Sequence, residues 1–320
     1  MKIWLLLPLL LLIGCSNGVE FNVAETSQNF AQDVKYNRTL DILFVIDNGQ
    51  SMNMVQKQLH DQLPYLFDSL HDLDMDIHIA TTSMTMLSSF PESGKLMGTP
   101  KYITMDTPNF VEELKKRIFI GENGSTLEEG FGAMEAVLSE SYRNAEGKGF
   151  LRDDSFLNII VLTNEDDKSA KPWNYYASML DKLRPNHTDG TKAWTMNFFG
   201  VLSQQDNCSS SEWGFKEPGV KFMEAVTYSG GISGSLCGND LYRSVSTIKA
   251  RIIQILTDYK LDRKPKVDTI RVYVAGLEVP KNDSNGWSYL ATENLIRFNG
   301  SAVPGAEQGI RVDFLPDEAN

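Results

Sequence analysis

The chain has 320 residues, of which 42% are hydrophobic and 22% charged, values that suit one large or two smaller globular domains with a hydrophobic core. Its formal net charge of −12 disfavours attraction to nucleic-acid phosphates, so we expect no nucleic-acid partner. An acidic surface is compatible with divalent cations, but it is also what an ordinary soluble surface looks like.

The first 14 residues predict an export signal. Lys2 precedes an apolar run over residues 3–13, which is too short to span a bilayer as a helix. The run ends in Leu-Ile-Gly followed by Cys15, an order that resembles the bacterial lipobox. The resemblance implies a signal peptide over residues 1–14, lipidation of Cys15 and a place in the bacterial cell envelope, and Ser16 favours the outer membrane. The alternative is an ordinary secretory signal with an incidental cysteine.

Two further cysteines, Cys208 and Cys237, would lie in an oxidising compartment if the chain is exported. The simplest expectation for such a pair is a disulfide. It would close a loop of about 30 residues and stabilise the fold by roughly 3–4 kcal/mol through chain entropy. A metal site is the alternative, but neither cysteine has a second Cys or His at close spacing.

The first half of the chain predicts a tether followed by alternating strands and helices. Residues 15–40 are polar and aperiodic, as in a tether. The continuous apolar run from Asp41 to Asp47 is typical of a strand buried on both faces of a parallel sheet. A helix follows, with apolar residues at spacings of three and four. Residues 76–82 alternate like a second strand, and residues 83–106 predict a loop or short hairpin.

The second half continues the alternation. Thr126 is predicted to open a helix with an apolar face that consists of Leu127, Phe131, Met134 and Leu138. Strands are predicted at 156–163 and 194–202, and helices at 173–183, at 220–228 with a stop at Gly230-Gly231, and from Asp240 onward. This alternation predicts βαβ units around a mostly parallel sheet, which binds ligands at the carboxyl ends of its strands.

After Lys260 the pattern changes to short alternating segments separated by turn residues. Strands are predicted at 269–274, 286–289, 295–298 and 310–314. We therefore expect a main domain over residues 41–262 and a small antiparallel β module over residues 266–320. A module of this size needs packing against the main domain to be stable.

Three segments at the predicted carboxyl edge resemble the metal-ion-dependent adhesion site (MIDAS) of von Willebrand factor A (vWA) domains. The segments are Asp47-Asn48-Gly49-Gln50-Ser51, Gly124-Ser125-Thr126 and Leu162-Thr163-Asn164. The family has Asp-x-Ser-x-Ser in the first segment and an acid after the threonine or serine of the third. Gly49 and Asn164 therefore depart from the pattern, and the chain resembles a bacterial lipoprotein that carries a vWA domain with a degenerate site.

The resemblance implies a three-layer, Rossmann-like α/β fold and a divalent cation, Mg²⁺ or Mn²⁺, at the edge of the sheet. The implied metal ligands are Asp47, Ser51, Thr126 and Asn164, all oxygen donors that suit such an ion. Two secondary candidates for the missing charge are Asp166 and Asp167.

The function that the resemblance implies is adhesion or protein interaction at the cell surface. An acidic residue of a protein partner would complete the coordination of the cation, and the lipid anchor would be the contact with the membrane. The alternative is a metal-independent structural or assembly component of a cell-envelope complex. The sequence has no Gly-x-Ser-x-Gly elbow, no Gly-rich phosphate loop with a lysine and no histidine pair at metal spacing, so we do not expect an enzyme.

Overall fold

The structure is a computed structural model, and it describes residues 26–29, 39–57, 59–61, 75–186, 191–204, 217–236, 246–247, 250–251, 253–254, 257–304 and 308–317. The predicted signal peptide, Cys15, Cys208, Cys237 and the predicted helix start at Asp240 lie outside these residues. Among the described residues, no helix combines the length and apolar character that crossing a membrane requires.

The helices and strands of the described residues follow each other in the predicted alternation. The strands are β1 (Thr26–Asn29), β2 (Thr39–Ile46), β3 (Asp76–Ser83), β4 (Ile103–Thr104), β5 (Phe156–Leu162), β6 (Trp194–Gly200), β7 (Ser233–Ser235), β8 (Asp258–Lys260), β9 (Arg271–Val274), β10 (Leu277–Val279), β11 (Gly286–Leu290), β12 (Leu295–Asn299) and β13 (Ile310–Phe314). The helices are α1 (53–57 and 59–61), α2 (Phe110–Ile118), α3 (Gly130–Leu138), α4 (Glu140–Arg143), α5 (Trp173–Leu183) and α6 (Val220–Ser229). The described residues between 246 and 257 are also helical.

The main domain is built on a six-stranded sheet with the strand order β4-β3-β2-β5-β6-β7. All its neighbouring strands run parallel except β4, which pairs antiparallel with β3. Strand β2 lies at the centre, where Leu43 is opposite both Ala80 and Ile159. The predicted mostly parallel sheet is confirmed, and β4 is the short antiparallel element within the segment predicted as a loop or hairpin.

Helices cover both faces of this sheet. The even-numbered residues of β2, such as Phe44, join a buried cluster with Val55 and Leu59 of α1 and with residues of α2. Leu43 and Val45 point to the other face and join a second cluster with α3, α5 and α6. Strands β2 and β5 are mainly apolar because both of their faces are buried. The three-layer α/β fold is therefore confirmed.

Two helices differ from prediction. Helix α3 begins at Gly130 and not at Thr126, and Leu127 is 42% exposed and not part of an apolar face. The backbone before Gly130 is bonded to a neighbouring loop and not within a helix: the Glu129 N–H donates to the Met84 carbonyl. Helix α2 was not predicted, since its charged sequence buries little more than Leu114 and Ile118. The predicted stop of α6 is confirmed by Gly230, which has a φ of 70°.

The C-terminal module consists of two antiparallel sheets, β11-β12-β8 and β1-β13-β9-β10. Strand β8 begins the module at Asp258, before the predicted boundary. Strand β1 lies within the predicted tether and pairs with β13, with Thr26 opposite Phe314. Apolar residues of the module, such as Val272 and Phe298, share one buried cluster with the α1 face of the main sheet. The module is therefore packed against the main domain.

Candidate functional site

The carboxyl ends of β2 and β5 lie side by side, and the loops that leave them form the candidate site. Ile46 is opposite Leu162 at the last pair of the parallel ladder. The backbone N–H of Asp47 continues the ladder by donating to the Leu162 carbonyl over 2.9 Å. The first residue after β2 is thereby fixed against β5, at the edge where parallel sheets bind ligands.

Asp47 is held at this edge by hydrogen bonds to both carboxylate oxygens. Its side chain is buried, with 1% exposure. Oδ1 accepts the Gly49 N–H over 2.7 Å, and Oδ2 accepts the Thr163 hydroxyl over 2.8 Å. Thr163 in turn accepts the N–H of Glu165 over 3.0 Å. The carboxylate therefore has a defined orientation between the β2 and β5 loops.

Ser51 and Asn164 form the second link between the same two loops. The side-chain amide of Asn164 donates to Oγ of Ser51 over 2.9 Å. Asn164 is fully buried and Ser51 is half-buried. An aspartate at position 164, as the vWA pattern has it, lacks the donor for this bond. The structure thus brings together three of the four predicted metal ligands, namely Asp47, Ser51 and Asn164.

Two further loops reach the edge through Asn48: a third loop before α3, which contains Gly124, and a fourth loop after β3, which contains Thr85. The Thr85 hydroxyl donates to Oδ1 of Asn48 over 2.9 Å, and the Gly124 N–H donates to the Asn48 carbonyl over 2.8 Å. Ser125 extends this network, because its N–H donates to the Thr85 hydroxyl oxygen. A Cβ at Gly124 would lie 2.3 Å from Oδ1 of Asn48, so this close approach requires glycine.

Thr126, the fourth predicted ligand, has a different position. Its side chain is exposed, and its hydroxyl makes no hydrogen bond with another described residue. The neighbouring Ser125 is buried instead, and its hydroxyl oxygen accepts the N–H of Leu127. Thr126 therefore lies on the surface of the third loop and is not joined to Asp47 or Ser51.

Asp166 and Asp167, the secondary candidates, cap two helices. Oδ1 of Asp166 accepts the Lys221 N–H at the start of α6 over 2.9 Å. Oδ1 of Asp167 accepts the Phe131 N–H at the start of α3 over 3.0 Å, and its other oxygen accepts the Ser169 N–H. Burial raises the pKa of both carboxyl groups above their ordinary values. Both side chains stabilise helix N-termini.

Sequence reasoning missed two residues of this edge. Gln56 is fully buried on α1, and its side-chain amide donates to the carbonyls of Asp47 and Gly121 over 2.9 Å each. Glu128 is only 1% exposed. The predicted helix from Thr126 gave no reason to expect a buried acid in its first turn. The only sequence signal for Glu128 was its position two residues after the Gly-Ser-Thr segment. Its buried position depends on the loop that forms in place of the predicted helix.

The side chain of Glu128 reaches the space beside Gly49, where the vWA pattern has its first serine. A Cβ built on Gly49 would lie 3.0 Å from Oδ1 of Asp47 and 3.2 Å from Oε1 of Glu128. The Ser125 carbonyl oxygen lies 3.8 Å from the same point. We call this space the Gly49 cradle. Three oxygens from three residues border it.

The residues of the edge fit a hard divalent cation by their chemistry. Carboxylate, hydroxyl and carbonyl oxygens are the donors that Mg²⁺, Mn²⁺ and Ca²⁺ use in proteins. In the part of the chain that the structure describes, no three His, Cys, Asp or Glu side chains are grouped to hold a metal. A cation at this edge would therefore need neutral donors as well, such as Ser51, the Ser125 carbonyl and water.

Comparisons with known proteins give limited similarity. No protein-family model matches this sequence, and no curated protein matches it. Among solved structures, proximal thread matrix protein 1 from the mussel byssus is similar, with 15% identity, a TM-score of 0.43, and coverage of 71% of this chain and 50% of that chain. Its form with a zinc-occupied MIDAS motif has 14% identity, a TM-score of 0.41, and coverage of 72% and 50%.

A third similar structure is the pilus adhesin SpaC from Lactobacillus rhamnosus GG in its open conformation. It has 10% identity and a TM-score of 0.39, and the similarity covers 86% of this chain and 38% of the adhesin. This chain therefore spans half or less of the length of these proteins, and at these TM-scores none of their properties is carried over to it. The fold and the site by themselves define the class: an α/β protein with a buried, oxygen-rich edge on a mostly parallel sheet.

Proposed function

We propose that the chain is a vWA-like interaction protein of the bacterial cell envelope, anchored by a lipid on Cys15, that binds a protein partner through the loops at the carboxyl edge of its main sheet. The observation that carries this proposal is the network that joins four loops at that edge. Asp47 is bonded to Thr163, Ser51 to Asn164, and Asn48 to Thr85 and Gly124. A surface held rigid before binding loses little conformational entropy when a partner docks.

The proposal includes a bridging divalent cation, Mg²⁺ or Mn²⁺. Asp47, Ser51 and Asn164 would hold it, and its chemistry would be to attract an acidic side chain of the partner. The exposed Gln50 lies on the loop of Asp47 and the exposed Thr126 lies on the third loop, and both would form the protein surface around that contact. In a chain with a net charge of −12, a cation would also offset the repulsion of an acidic partner.

A second candidate function is a metal-independent assembly role in a cell-envelope complex. Its support is that the edge is already linked by protein hydrogen bonds. Both carboxylate oxygens of Asp47 accept such bonds, and the side-chain amide of Asn164 donates one to the Ser51 hydroxyl oxygen. The same loops could then bind a partner through their exposed polar side chains alone.

The experiment that tests the proposal measures binding to solubilised envelope proteins by the full chain in lipid vesicles. Thr126→Arg places a large charged side chain on the exposed third loop and leaves the buried network intact. The matched control is Thr292→Arg, the same change at an exposed turn of the C-terminal module. We expect a specific partner to be retained by the wild type and the control and lost with Thr126→Arg.

Chelation separates the two candidate functions. Loss of the same partner in EDTA, restored by Mg²⁺ or Mn²⁺, supports the bridging cation. Retention in EDTA together with loss in Thr126→Arg supports the metal-independent role. Equal binding by the wild type and by Thr126→Arg would contradict both, because the partner would then dock elsewhere on the protein.

A further inference from the structure

The Gly49 cradle is the least expected feature of the edge. The vWA pattern has a serine hydroxyl at this position, and here the chain has no side chain at all. The space that a side chain would fill is bordered by Oδ1 of Asp47, Oε1 of Glu128 and the Ser125 carbonyl. Both acidic side chains are 1% exposed. Three oxygens thus converge on one small volume that is shielded from bulk water.

Two buried carboxylates beside one space are costly when both are ionised. The oxygens of Asp47 and Glu128 lie 3.0 and 3.2 Å from one point, so their separation is at most the sum of these distances. At such separations in a low-dielectric region, like charges repel strongly unless a proton or a cation lies between them. A proton or a bound cation between the two carboxylates would relieve this repulsion.

We infer that Glu128 is a carboxylate donor to a divalent cation at the Gly49 cradle, where it replaces the serine hydroxyl of the vWA pattern. The inference rests on the cation of the proposed function and names a ligand that the pattern does not contain. Charge counting supports it. Asn164 removes one negative charge from the pattern and Gly49 removes one oxygen donor, and Glu128 supplies both.

The backbone around Glu128 holds its side chain towards the cradle. Glu128 forms an isolated antiparallel bridge with Thr85, and its carbonyl accepts the Lys168 N–H over 2.8 Å. The backbone of the loop is therefore bonded to two other loops at this residue. A serine at position 49 would place its Cβ 3.2 Å from Oε1 of Glu128, tighter than ordinary contact. A serine side chain at position 49 would therefore shift the Glu128 carboxylate from its present position.

The first test is calorimetric titration of Mg²⁺, Mn²⁺ and Ca²⁺ into the full chain after EDTA treatment. Glu128→Gln keeps the size of the side chain and removes its charge. The matched control is Glu129→Gln, the next residue, with a half-buried side chain that makes no capping hydrogen bond. We expect binding to weaken roughly tenfold or more in Glu128→Gln and to stay unchanged in Glu129→Gln.

An exchange of donors provides a second test that does not depend on one variant. Gly49→Ser alone is expected to weaken binding, because the new side chain crowds Glu128. Gly49→Ser combined with Glu128→Ala is expected to bind more tightly than Glu128→Ala alone, since the shortened side chain leaves room for the serine and its hydroxyl restores one oxygen donor. This non-additive result is the signature of two side chains that share one space. Circular dichroism confirms that each variant is folded.

Two outcomes would overturn the inference, and they differ in what they mean for the cation of the proposed function. Equal cation affinity in the wild type and Glu128→Gln would mean that Glu128 is not a donor, while the cation itself stands. No binding at millimolar metal would overturn the inference together with the bridging cation, and the metal-independent role would then stand alone. The partner-binding experiment can succeed in either case, because it also measures whether the partner binds in EDTA, without metal.

Discussion

The hydroxyl of Thr163 donates a 2.8 Å hydrogen bond to Oδ2 of Asp47, although 116 residues separate the two in sequence. Because β2 and β5 are neighbouring parallel strands, the residues that follow them emerge side by side. Thr163 also accepts the Glu165 N–H, so one hydroxyl orients both the carboxylate and the β5 loop. The Asp47 carboxylate is therefore bonded directly to the end of the neighbouring central strand.

Replacing Thr163 with valine tests how much this bond contributes. Thr163→Val keeps the shape of the side chain and removes one donor to a buried carboxylate, so we expect the free energy of unfolding to fall by about 1–3 kcal/mol. The matched control is Thr81→Val, since Thr81 is also fully buried and its hydroxyl has no hydrogen-bond partner among the described residues. Urea unfolding should show a change within about 0.5 kcal/mol for that control. Equal losses in both variants would show that the Asp47 bond contributes nothing specific.

Asn164→Asp restores the acid of the vWA pattern and tests the coupling between the edge and a cation. Without metal, the variant loses the amide donor to Ser51 and gains a buried charge near Asp47, so its melting temperature should fall below that of the wild type. With Mg²⁺ or Mn²⁺ in excess, the new carboxylate becomes a ligand and the deficit should shrink or reverse.

The control for that experiment is the same substitution within the body of the sheet. Asn158 is fully buried in β5, where its Oδ1 accepts the side-chain amide of Asn197 over 2.6 Å. Asn158→Asp should also lower the melting temperature, but Mg²⁺ should not restore it. If the metal effect is the same in both variants, or absent in Asn164→Asp, the edge around Asn164 is not a cation site.

The sequence predicted the strands of the main domain well because these strands are buried on both faces. Such strands are continuous apolar runs with turn residues at their ends, a pattern that needs no tertiary information. Elements whose sequence lacks such an apolar run were missed. Strand β1 has the polar sequence Thr-Ser-Gln-Asn, and only its pairing with β13 makes it a strand.

The site was predicted in part for the same reason. Asp47, Ser51 and Asn164 follow strand ends that the sequence locates, so their proximity follows from parallel topology. Thr126 and Glu128 belong to a loop whose course depends on backbone bonds to Asn48 and Met84. No local pattern encodes those bonds, and a helix from Thr126 was the simplest expectation.

At the opposite end of β2, Asp41 forms a buried ion pair that we expect to matter for stability and not for binding. Its carboxylate is fully buried and accepts hydrogen bonds from the guanidinium and the backbone N–H of Arg152, and from Ser155. Asp41→Asn would leave Arg152 partly buried without its main counter-charge. We expect a loss of about 2–4 kcal/mol in the free energy of unfolding by urea titration.

The control for this pair is the second acid on the same guanidinium. Asp76 lies 2.6 Å from Arg152, but its side chain is 62% exposed. Asp76→Asn should therefore cost less than about 1 kcal/mol. Partner binding at the other end of the sheet should be unchanged in both variants. A large loss of binding in Asp41→Asn while the protein is folded would mean that the two ends of β2 are coupled.

The helix-capping Asp167 predicts a specific pH dependence of stability. Burial raises its pKa in the folded state, where it accepts bonds from Phe131 and Ser169. An acid with a raised folded pKa binds its proton more readily in the folded than in the unfolded chain. It therefore stabilises the fold as the pH falls through that raised pKa, and this contribution is lost as the pH rises.

Asp167→Asn removes the titration but keeps one side-chain acceptor for the helix N-terminus. The difference in unfolding free energy between the wild type and Asp167→Asn should therefore shift in favour of the wild type as the pH is lowered from about 7 to about 4. Urea titrations at several pH values measure this difference, and Asp153→Asn, which removes an exposed carboxylate, is the control. A shift in the opposite direction would mean that the helix dipole and the hydrogen bonds outweigh burial, so that Asp167 is held ionised in the folded protein.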